Sequence, residues 1–150
     1  MKKVFFVLTV LFAVSQAITA QSIDSFIADF AKSEGVETTR VDSKMLAEAK
    51  QNEEDDSEAD KMDKLKFIDV FSAENPSEEL REKFMNFIGN FSEDTDYDTL
   101  IKVADGDTKA LIVLRKGETD EKTLIIFAVE DEKIAVVKMS GEIDLDDLNF

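Results

Sequence analysis

Apolar residues follow three rhythms along this chain. Val4 to Val14 (VFFVLTVLFAV) is almost unbroken, the stretch from Ile23 to Phe91 is mostly spaced in threes and fours, and Thr99 to Met139 is strand-like. The first run has 11 residues, too few for the roughly 20 that carry a helix across a bilayer. Met1-Lys2-Lys3 precedes it, and Ser15 to Ala20 (SQAITA) follows, ending in a small residue. A cationic start, an apolar middle and a small-residue end form the layout of a secretory signal peptide. The reading is a signal peptide at 1–20, cleavage between Ala20 and Gln21, and one domain over 21–150. The protein is then exported and is periplasmic or extracellular.

Ser22 can cap a helix whose stripe is Ile23, Phe26, Ile27 and Phe30, with Gly35 closing it. Val36 to Asp42 (VETTRVD) reads as a short strand, and Ser43 as the cap of a second helix through Met45, Leu46 and Ala49. Leu65 to Phe71 (LKFIDVF) reads as another strand. Asn75-Pro76-Ser77-Glu78 offers a cap, a proline at the first helical position and a glutamate three residues after the cap. The third helix then aligns Leu80, Phe84, Phe87, Ile88 and Phe91 as a core-facing stripe.

Beyond Phe91 the period becomes that of strands. Thr99–Ala104, Ala110–Arg115, Thr123–Val129 and Ile134–Met139 are separated by Asp105-Gly106-Asp107, Lys116-Gly117-Glu118 and Glu130-Asp131-Glu132. Connections this short join antiparallel neighbours. The predicted fold is α+β, a largely antiparallel sheet with a C-terminal four-strand meander packed by about three helices. In the two middle strands both alternating sets are apolar: Ala110, Ile112 and Leu114 oppose Leu111 and Val113, and Leu124 and Ile126 oppose Ile125 and Phe127. Both faces of the meander therefore call for cover. It comes from helices split between the faces, from the C-terminal segment, or from another subunit, and cover from within the chain is favoured. After Gly141 one helical turn is predicted to fold Leu145, Leu148 and Phe150 back onto the body.

Composition narrows the chemistry. With 34 acidic against 18 basic residues the formal charge is −16, which opposes the counterion-displacing grip of a nucleic-acid binder. Cleavage would remove Lys2 and Lys3 and leave the mature chain more acidic still. There is no Cys and no His, so thiol chemistry, disulfides and the commonest general base are excluded. The stretch 51–64 (QNEEDDSEADKMDK) reads as an acidic, solvated loop insert. No membrane span is expected in the mature chain.

One loop imitates a calcium site. Asp94, Asp96, Asp98 and Asp105 stand at positions 1, 3, 5 and 12 of an EF-hand-like spacing. Against it, position 6 is Thr99 and not glycine, position 12 is the shorter aspartate, and a strand follows where an EF-hand has a helix. Lys138 and Ser140 share a strand end, but nothing in the pattern desolvates the lysine for a Ser–Lys nucleophile. The five glycines stand singly, so no phosphate cradle is present. No catalytic, cofactor or metal residue is assigned, and the protein is expected not to be an enzyme.

A Phe-rich first helix, a short strand leading into Ser43-Lys44-Met45-Leu46, the Tyr97-Asp98-Thr99-Leu100-Ile101-Lys102-Val103 strand and the ending Met139-Ser140-Gly141-Glu142-Ile143-Asp144-Leu145 follow the leader. In that order they resemble the small exported Bacteroidetes proteins catalogued as domain of unknown function 4252. The resemblance implies an envelope location and no established activity. Its members' association with extracytoplasmic sigma-factor systems implies a part in envelope sensing. The expected function is a non-enzymatic envelope protein acting through protein contacts, with a protein partner or a homodimer. The alternative is a calcium-dependent binding module built on Asp94, Asp96, Asp98 and Asp105.

Overall fold

Six strands form one antiparallel sheet in the order β1-β2-β6-β5-β4-β3. The computed structural model describes residues 22–51, 63–106, 108–117 and 120–147. The signal peptide predicted at 1–20, most of the predicted acidic insert, and the tail residues Leu148 and Phe150 lie outside the described residues. In chain order the elements are α1 (Ile23–Ala31), β1 (Glu37–Asp42), α2 (Ser43–Lys50), β2 (Leu65–Glu74) and α3 (Glu78–Asn90). The strands β3 (Asp98–Asp105), β4 (Thr108–Lys116), β5 (Lys122–Glu130) and β6 (Lys133–Gly141) follow, then a 3-10 turn at Leu145–Asp147. The predicted meander is β3 to β6. Its last strand pairs with β2, so the N-terminal hairpin-like pair β1–β2 extends the same sheet.

Helix caps depart from the pattern in detail. Ser22 caps α1 as expected, its hydroxyl accepting from the Ser25 amide at 3.2 Å. The helix stops at Ala31, and Gly35, at φ +83°, turns the chain into β1 instead of closing the helix. Asp42, not Ser43, caps α2: its Oδ1 accepts from the Met45 amide at 3.0 Å. Ser77, not Asn75, caps α3 by accepting from the Leu80 amide at 3.2 Å. Asn75 instead takes a left-handed turn at φ +48°, its amide donating to the Glu132 carbonyl at 2.7 Å. A tertiary hydrogen bond to the β5–β6 turn outcompetes the local cap, which moves two residues on.

Helices α1 and α3 lie on one face of the sheet. Ile23, Phe26 and Phe30 from α1 and Phe84 and Ile88 from α3 meet Leu111, Val113, Ile125, Phe127, Val129, Ile134 and Val136 in one core. Phe84 and Phe127 are fully buried. Phe26 stacks on Phe87 with ring centroids 3.9 Å apart and packs tilted against Phe84 and Phe127. Each buried aromatic contributes roughly 1.5–3 kcal/mol of transfer free energy, so this face holds the fold together.

One end of the opposite face is covered by the C-terminal segment, one of the two intramolecular covers the alternation allows. Ile143 and the partly buried Leu145 pack on Ile112, Leu114 and Leu124. Gly141 makes this return path: at φ +150° it lies so close to β2 that a Cβ would sit 2.3 Å from the Lys64 carbonyl oxygen. The Glu142 amide donates to that oxygen at 2.9 Å, and Lys122 Nζ donates to the Ile143 carbonyl at 3.0 Å. Helix α2 packs against β1 and β2 with Leu46 buried. The ends of the acidic insert are tied by an ion pair between Lys50 and Asp63.

Candidate functional site

The loop after α3 is tied to α1, and its first aspartate serves that junction. Asp94 Oδ2 accepts from the Ile23 amide at 3.1 Å, and Oδ1 accepts from the Asp96 amide at 2.9 Å. A carboxylate from a distant loop thus satisfies an orphan donor at the α1 N-terminus, where the helix dipole favours negative charge. Asp98 and Asp105 begin and end β3, so they stand roughly 23 Å apart at strand rise. The four predicted calcium residues therefore do not converge. Among the described residues no group of three acids is arranged to hold a metal ion.

Next to this loop lies a polar chain that sequence reading missed. The Tyr97 hydroxyl donates to Asp24 Oδ1 at 2.8 Å, Arg115 pairs with Asp24 Oδ2 at 3.7 Å, and the Arg115 guanidinium stands 5.9 Å from the Tyr97 ring centroid. Burial, followed by the hydrogen bond to the Asp24 carboxylate, pushes the Tyr97 hydroxyl up to about 12, against the opposing pull of Arg115. A second missed group is Asp69, the one buried charged residue among those described. Arg40 grips it with two bonds, Nε to Oδ1 at 2.5 Å and Nη2 to Oδ2 at 2.7 Å, while stacking over Phe67 at 4.8 Å. The signal was a lone acid inside the apolar run LKFIDVF. Its partner could not be named before the β1–β2 register placed Arg40 opposite Asp69.

Lys138 and Ser140 do share one side of β6. The Ser140 hydroxyl lies 2.9 Å from that of Thr123 on the neighbouring strand. Between α1 and α3 a groove of about 870 Å³ has Asp29, Lys83, Asn86 and Asn90 on its rim. Its floor is the interlocked Phe26, Phe30, Phe87 and Phe91, the outer side of the core just described.

The outer face of the sheet has a different character. Following the register, Val70, Val137, Ile126, Ile112 and Ile101 form a row across five strands. Ser72, Ala135, Ala128, Ala110 and Val103 form the adjacent row. No charged side chain stands in either row across these five strands; β1 continues the first with Thr39 and ends the second with Glu37. The C-terminal segment packs at the Leu114–Leu124 end. Ile112 of the first row lies under that segment, with Ile101 and Ile126 partly buried against the same cluster. Farther along, Ala128, Val137 and Val70 are half-buried, and Val103 is 42% exposed. This face is the candidate contact surface. It places apolar side chains flat and side by side, an arrangement suited to packing against another sheet at about 10 Å.

A family model described as Domain of unknown function (DUF4252) matches residues 30–149. No curated protein and no solved structure matches the chain.

Proposed function

This chain belongs to the DUF4252 family of domains of unknown function, and from that premise we propose an exported, non-enzymatic envelope protein that works by self-association through the outer face of its sheet. One observation carries the reading: two uncharged rows run across the strands and are capped by the C-terminal segment at one end only, among the described residues. Contiguous apolar surface of this kind marks contact sites. In a chain of net charge −16, like charges oppose the approach of two copies. The neutral rows are where that opposition is weakest.

The side chains that chemistry would recruit are committed to structure. Both oxygens of Asp69 are held by Arg40, Asp94 is held by amides, and Ser140 faces Thr123. These commitments support a contact role over catalysis. The basic and apolar leader supports export, and envelope sensing is the role such a contact protein would serve.

Light scattering of the chain from Gln21 onward tests the proposal. Twice the protomer mass is expected, with Val137→Asp monomeric at unchanged far-UV circular dichroism. A wild-type monomer at every concentration contradicts it. N-terminal sequencing of the envelope form should begin at Gln21, and retention of Met1 would overturn export by cleavage.

A further inference from the structure

Beside α1, on the helix-covered side of the sheet, a cleft of about 530 Å³ opens toward β2 and β6. Its walls are apolar where Ile27 and Ala31 of α1 face Phe71 of β2. Three cations, Lys32, Arg115 and Lys138, line it with a single acid, Asp24. That balance inverts the composition of the whole chain, where acids outnumber bases by 34 to 18.

The nearby carboxylates are already engaged. Asp69 is the register partner of Lys138, yet Arg40 occupies both of its oxygens. Asp24 accepts from the Tyr97 hydroxyl and pairs with Arg115. The ammonium groups of Lys32 and Lys138 have no carboxylate within ion-pair distance among the described residues. Lys138 is moreover half-buried, so its cation stands beside an apolar wall with no ion-pair partner of its own among the described residues. A ligand anion would supply that charge, and its apolar part would cover Ile27 and Phe71. The volume lies in the range of small-molecule clefts.

We propose that this cleft binds a small amphipathic anion, a free carboxylate on a short aliphatic chain, with Lys138 and Lys32 holding the head and Ile27, Ala31 and Phe71 holding the tail. Sodium octanoate is the probe, followed by amide chemical shifts and calorimetry on the chain from Gln21 onward. Octanoate should shift the amides of Ile27, Ala31 and Phe71. Acetate, which has the head alone, should bind at least about tenfold more weakly, as should octyltrimethylammonium, which has a tail with the opposite charge. Lys138→Met should lower octanoate affinity about tenfold, the scale of one charge-assisted contact. Lys32→Gln, at an exposed helix end, should lower it in the same direction and guards against a folding defect in the first variant. Equal binding of the cationic probe, or octanoate affinity unchanged in both variants, overturns the proposal. Flotation with anionic vesicles without octanoate binding also overturns it, since the ligand would then be a membrane surface.

Discussion

The helix-covered face and the outer face of the sheet are both apolar, but they are built from different side chains. The covered face is aromatic and closed: Phe26, Phe84 and Phe127 interlock, and Val136 and Ile134 are fully buried beneath them. The outer face is aliphatic and small, with alanines at 110, 128 and 135, and only its Leu114–Leu124 end is fully buried under Ile143. Large rings fill the space between the two helices and the sheet. Small and branched side chains leave a flatter surface. The difference teaches that apolar alternation on two faces need not mean two equal cores. One face carries stability and the other is the surface we propose for contact.

Breaking the covered face should have the largest effect. Phe84→Ala removes a ring packed against Phe26, Phe30 and Phe127 and should cost roughly 3–5 kcal/mol in denaturant unfolding. Ile126→Val on the outer face should cost less than about 1 kcal/mol in the same assay. Comparable losses at the two sites would erase the distinction.

Detaching the C-terminal cover comes next. Gly141→Val forces a β-branched residue into positive φ against the Lys64 carbonyl, at roughly 1–3 kcal/mol for the backbone conformation alone. It should also expose Leu124, which increased binding of an apolar dye would register. Arg40→Ala leaves buried Asp69 without its partner and should lower the denaturant midpoint, by less than Phe84→Ala does.

Smaller effects probe the polar junction at the edge of the covered face. Tyr97→Phe should cost about 1 kcal/mol by removing the hydrogen bond to Asp24. The wild-type hydroxyl ionises near 10 in the unfolded chain and at about 12 in the fold. Its contribution is therefore fully present below pH 10 and is lost as pH rises from 10 through 12, because the unfolded chain releases the proton first. Stability of Tyr97→Phe should fall less steeply across that window, and parallel slopes would contradict the shift. Asp94→Ala should cost about 1 kcal/mol as a lost helix-end partner, by the same amount with and without added calcium. A loss seen only with calcium would favour the metal reading.

Much of the fold was legible because its period is strong. Val113, Ile125 and Phe127 alternate cleanly, and the turns at Gly106 and Gly117 bound the strands. Cap positions were legible only to within two residues, since the Asn75–Glu132 hydrogen bond joins elements far apart in sequence. Joining of β1–β2 to the meander was also hidden, because the β2–β6 register spans the whole of α3 and three strands. The Asp94 loop showed its acids but not their partner, the Ile23 amide 71 residues away. The cleft at Lys138 was invisible because its meaning lies in which carboxylates are already taken.

The absence of cysteine from the natural chain makes one measurement direct. Single variants Ala128→Cys on the outer face and Val136→Cys on the covered face can be labelled with a maleimide at increasing protein concentration. The account predicts that Ala128→Cys reacts readily when dilute and is progressively protected as copies associate, while Val136→Cys stays unreactive throughout. Equal reactivity of the two, or an Ala128→Cys rate independent of concentration, would contradict it.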